Sequence, residues 1–217
     1  MWMVLACFSA WAQSFESPIK SLMGPEGIAV LADGSEVTGN PLIIPKGVGN
    51  IKKLTLKLED GTKMKLGPAD LQSFALKPNK LAKMSSAGGS IVAMSNNSDV
   101  WSKDYAFFVP AKLPNGKPAI LQHLNRGFDS TMHIFADPAG RETSGVGVGG
   151  VQISGGMLKS YLVWKKGAEA SVLVKKGTYD KQWDALYGDC AAMTKPEKPE
   201  FDDFAAHVSE HAQKCGG

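Results

Sequence analysis

Arginine is nearly absent from this chain: of its 24 basic residues only Arg126 and Arg141 carry a guanidinium. Sites that read phosphate or base edges favour that planar, bidentate fork. The lysines stand beside acids, as in Lys57 and Glu59 or Lys103 and Asp104. Such mixing describes a solvated surface, so nucleic acid is not an expected partner. Long apolar runs are also missing. No later segment approaches the about 18 residues of a membrane-crossing helix, and no transmembrane segment is expected. Neither the G-x-S-x-G elbow nor H-E-x-x-H occurs, and no catalytic, cofactor-binding or metal-ligating residue is assigned. Whether the chain is an enzyme stays open, with the balance against.

Charge is lacking altogether from the first twelve residues, which end in Ala10-Trp11-Ala12, a small-x-small pattern suited to signal peptidase. Residues 1–12 therefore predict a signal peptide, with an upstream start supplying the missing basic end. A rival reading makes Val4-Leu5-Ala6-Cys7 a lipobox with Cys7 lipidated. Cysteine is scarce, at three residues. Cleavage after Ala12 removes Cys7 and leaves Cys190 and Cys215, an even count that reads as one disulfide in an oxidising compartment. The expected location is the periplasm or cell surface.

What remains reads mainly as β-structure. Ile28 to Ala32, the Asp33-Gly34 turn and Glu36 to Asn40 form a hairpin pattern. Leu42 to Ile44, between Pro41 and Pro45, suits an edge. Leu54, Leu56 and Leu58 alternate with polar residues, and past Asp60-Gly61 the buried face continues in Met64 and Leu66. One helical turn at 67–72 precedes Ser73 to Leu76. These elements predict a small SH3-like barrel over residues 24–78.

An antiparallel meander is expected over 79–177, with a hairpin around Asn115-Gly116 and strands at Met132–Phe135, Val151–Ser154, Ser160–Trp164 and Ala170–Val174. The period then changes. Tyr179, Trp183, Leu186 and Tyr187 mark a helix, and Phe201, Phe204, Val208, Ala212 and Cys215 mark the stripe of a second. Residues 178–217 are thus expected to be a helical pair stapled by Cys190–Cys215.

Three segments, Leu121–Phe135, Gly147–Gly156 and Tyr179–Cys190, resemble parts of uncharacterised exported proteins of Bacteroidota. The resemblance implies export to a bacterial envelope and carries no activity or site residues.

The remaining candidates are weighed by context. Gly145 to Gly150 spells G-x-G-x-x-G, but strand and turn follow it instead of a helix, so no cofactor is expected. His207, His211 and Cys215 share helical spacing; His211 is placed beside the apolar stripe, His207 nearer solvent, and Cys215 is assigned to the disulfide. Trp101, Tyr105, Tyr161 and Trp164 are candidate lining of a sugar or peptide groove. The expected function is non-catalytic binding or support in the envelope, with an envelope protein or glycan as partner. The alternative is a hydrolase whose site is not visible as a motif, for which His123, His133 and Asp129 would have to gather.

Overall fold

The computed structural model describes residues 13–19, 24–42, 51–77, 105–140, 147–148, 151–152 and 158–216. Expectations placed on the leader, Cys7, Ile43, Ile44 and Trp101 lie outside those residues, as does part of the 145–150 glycine run.

The fold is mainly antiparallel β with two helices at the C-terminal end. The strands are β1 (Glu26–Leu31), β2 (Glu36–Pro41), β3 (Leu54–Lys57), β4 (Lys63–Leu66), β5 (Leu71–Lys77), β6 (Ala106–Lys112), β7 (Pro118–Gln122), β8 (Met132–Ala136), β9 (Gly147–Val148), β10 (Val151–Gln152), β11 (Ser160–Lys165) and β12 (Val172–Lys175). The helices are α1 (Tyr179–Tyr187) and α2 (Phe204–Cys215).

Seven strands form one sheet in the order β4-β3-β2-β1-β5-β6-β7. Its turns fall where short-range chemistry puts them. Gly61 and Gly116 sit at φ 86° and 74°, a region open to glycine at little cost, in the Asp60-Gly61 and Asn115-Gly116 turns. The sheet curls until Ile51, just before β3, exchanges two backbone bonds with Ile120 of β7, at 3.2 and 2.9 Å. Inside the curl lie Ala29, Leu54, Leu56, Phe74, Leu76, Phe108 and Ile120. Leu66 joins them, while Leu58 and Met64 pack only partly buried at the margin. β6 and β7 extend the sheet beyond β5, β6 pairing with β5 and β7 with β6.

A second sheet, β12-β11-β8, carries the helices. Met132, Ile134, Tyr161, Val163 and Val174 meet Tyr179, Trp183, Leu186, Tyr187, Phe204 and Val208 in one core. The Cys190–Cys215 disulfide closes the tail, with Cα atoms 5.9 Å apart. The buried face of α2 differs from the expected stripe. Phe204, Val208 and His211 point inward, while Cys215 is exposed. His211 turns inward because polar partners wait for it across the interface, a cause that helical periodicity does not register.

The two sheets meet where β7 ends. The amide of His123 donates to Phe107 O of β6 at 2.9 Å, and the next amide, Leu124, donates to Ile134 O of β8 at 2.8 Å. Between one residue and its neighbour the chain passes from one ladder to the other. Ala119, Leu121, Phe135 and Leu162 fill the seam beneath.

Candidate functional site

The seam places His123 against β8. Alternation along β8 sends Met132 and Ile134 to the helical core and leaves His133 and Phe135 on the seam face. His123 and His133 therefore stack, with ring centroids 4.6 Å apart and planes at 21°. Trp164, directly across the ladder from His133, packs edge-on to its ring at 5.1 Å. The loop between β7 and β8 returns Asp129, whose Oδ2 lies 3.6 Å from His123 Nε2. One donor atom from each of His123, Asp129 and His133 lies within 4.8 Å of the other two. The three residues that the hydrolase reading needs to gather do gather.

Asn125 holds this loop in place. Its Nδ2 donates to Phe128 O at 3.1 Å and Met132 O at 2.9 Å. Its Oδ1 consequently faces the Ile134 amide at 2.8 Å and His123 Nε2 at 3.0 Å. A carboxamide oxygen only accepts, so the neutral His123 ring carries its hydrogen on Nε2 and its lone pair on Nδ1. Burial, reinforced by the neighbouring His133, lowers the His123 pKa from 6.5 to about 4, against the pull of Asp129. Burial also lowers that of His133, with Asp129 opposing and Lys166 adding to the effect. Both imidazoles are neutral at pH 7.

The rim is charged and mostly paired. Arg126 donates to Glu16 Oε1 at 3.0 Å through Nη2 and at 3.2 Å through Nε, and lies 3.7 Å over the Phe107 ring. Glu16 belongs to a strap in which Phe15 packs on Tyr161 and Phe204, and the Glu16 amide bonds Leu124 O. The strap was not foreseen, because Phe15 sits alone in a polar stretch with no periodicity around it.

The aromatic candidates fall in separate places. Tyr161 is in the core, 5% exposed. The Tyr105 hydroxyl bonds Glu26, the first residue of β1. Among the described candidates, only Trp164 adjoins the histidine cluster. Tyr105, Tyr161 and Trp164 thus sit in three different settings.

The tail histidines have other tasks. His207 Nδ1 meets the Tyr179 hydroxyl at 2.8 Å. His211, 1% exposed, lies between Thr131 Oγ1 at 2.9 Å and Asp189 Oδ1 at 3.3 Å. Lys165 Nζ shares that carboxylate oxygen at 2.8 Å. The run His207-Val-Ser-Glu-His211 also spells H-x-x-E-H, a zinc-peptidase pattern. Here both His211 nitrogens are engaged and Cys215 is in the disulfide, so the helix presents no shared site. An open acidic depression lined by Glu36, Glu59 and Asp60 lies at the β3–β4 turn. One of its carboxylates, Asp60, is already bonded by Thr62.

Comparisons with protein-family models, with curated proteins and with solved structures return no match.

Proposed function

We propose that this chain is an exported protein of the bacterial envelope that binds a ligand, without turnover, at the His123–Asp129–His133 seam. The observation that carries the reading is the convergence of two neutral imidazoles and a carboxylate where the sheets meet. Export draws support from the disulfide, which suits an oxidising compartment. It also agrees with the leader pattern and with the resemblance to exported Bacteroidota proteins. The curl closed by Ile51 and Ile120 is read as a small barrel of SH3 type, elaborated by β6 and β7.

Two measurements test this. N-terminal sequencing of protein from its native host should begin at Gln13; a lipidated Cys7 would select the lipobox route, and a retained Met1 would remove export. In histidine-labelled protein, the ring signals of His123 and His133 should move when envelope extract is added, while His207 stays. Unmoved signals would remove the seam as a binding site.

Two observations favour hydrolysis as a second reading: the gathering of His123, Asp129 and His133, and a second constellation around His211. Thr131, His211 and Asp189 stand in line as hydroxyl, imidazole and carboxylate. However, His211 is buried and its carboxylate is shared with Lys165, which suits a pin between α2 and β8. A general base needs access to a substrate proton. Hydrolysis of an ester or amide panel that is lost in Thr131→Ala, with folding intact, would select the second reading.

A further inference from the structure

Resting on the seam being a ligand site, we infer that its occupant is a divalent transition-metal ion of the zinc class. One nitrogen each of His123 and His133 and one oxygen of Asp129 would hold it. Two imidazoles and a carboxylate are donors that suit zinc, copper or nickel, whereas magnesium and calcium take oxygen ligands. Three protein donors leave at least one coordination position for water or a further group.

The supporting shell is already in place. A metal-binding histidine characteristically donates its other ring N–H to a fixed acceptor. His123 donates Nε2–H to Asn125 Oδ1, which the Ile134 amide and two carbonyls hold rigidly. That leaves Nδ1 as the ligating atom. Ligands on a tetrahedral zinc stand about 3.3 Å apart. A nitrogen of each histidine and an oxygen of Asp129 already lie within 4.8 Å of one another; the Asp129 oxygen now faces His123 Nε2 at 3.6 Å and turns toward Nδ1 on binding.

The closure has a definite direction. A metal must lie in the plane of each imidazole it binds, and rings stacked at 21° direct their lone pairs side by side. One ring must swing. His123 is buried and pinned, whereas His133 is half-buried, so His133 moves and its contact with Trp164 changes. The nearby cations do not block the site. Arg126 is paired with Glu16, and at His133 the charge of Lys166 is countered by that of Asp129.

The test is Zn2+ titration of the disulfide-bonded chain by calorimetry and tryptophan fluorescence, with Mg2+ as the hard-cation control. One Zn2+ per chain should bind and change the emission, and Trp164→Phe should abolish that change without abolishing binding. His133→Ala and Asp129→Asn should each weaken binding at least about tenfold, the lower end of what even an outer-shell loss costs. His207→Ala should bind as the parent does. The inference is overturned by absence of uptake, by parent-like affinity in both seam variants, or by equal binding of Mg2+. If Zn2+ fails while envelope extract still moves the His123 and His133 signals, the metal is wrong and the ligand site stands. If both fail, both readings fall.

Discussion

Replacing Asn125 by alanine removes the side chain that joins the two sheets at their seam. Asn125 is 1% exposed and makes four contacts: to the Ile134 amide, His123 Nε2, Phe128 O and Met132 O. Truncation strands the Ile134 amide and the Met132 carbonyl in the interior, while the His123 Nε2–H can turn to Asp129 Oδ2, 3.6 Å away, and water can follow to the part-buried Phe128 carbonyl. A buried polar group left unmade costs about 1 to 3 kcal/mol. Two of them put the loss at about 2 to 6 kcal/mol, a large share of the about 5 to 15 kcal/mol that holds a typical domain. Urea unfolding followed by circular dichroism reads this directly. Asn125→Asp separates bonding from volume, since it keeps the shape but turns an oxygen toward two carbonyls; its loss should match or exceed that of alanine. A loss below about 1 kcal/mol for alanine, or parent stability for aspartate, would refute the role assigned to this residue.

The Cys190–Cys215 bond closes a 25-residue separation, for which the chain-entropy relation gives about 3.5 kcal/mol. Non-reducing mass spectrometry should show loss of two hydrogens and no free thiol, and reduction should lower the unfolding midpoint. Two alkylatable thiols in protein from an oxidising compartment would contradict it. Leu56 is fully buried in the curled sheet, so Leu56→Ala should cost about 2 to 5 kcal/mol, and a change under half a kilocalorie would place it on the wrong face. The folded His123 pKa, about 4, lies below the unfolded 6.5, so the unfolded chain takes the proton first. Its contribution is complete above pH 6.5 and is lost as pH falls toward 4, amounting to about 3 kcal/mol. His123→Asn should flatten that part of the stability curve, and an unchanged slope would refute the assignment.

The strands around Asp60-Gly61 and Asn115-Gly116 were legible because alternation and turn chemistry act over a few residues. The α1 helix and the cysteine pairing were legible for related reasons, from local periodicity and parity. His123, Asp129 and His133 could be named as residues whose meeting would matter, but their meeting could not be derived. It depends on the chain changing sheets between His123 and Leu124, which is a non-local event. Asn125 carries no motif, since its four partners lie on the loop and on β8. The inward turn of His211 was hidden for the same reason: a polar residue is buried only because Thr131 and Asp189 come from elsewhere to receive it.

The most direct test of the seam as a metal site is anomalous diffraction at the zinc edge, on crystals of the chain grown with Zn2+. A single strong peak bonded to His123 Nδ1, a His133 nitrogen and an Asp129 oxygen, with the His133 ring swung out of its stack, is the predicted result. A peak at His207, at Asp189 or at the Glu36–Asp60 depression instead, or no peak at all, would contradict it.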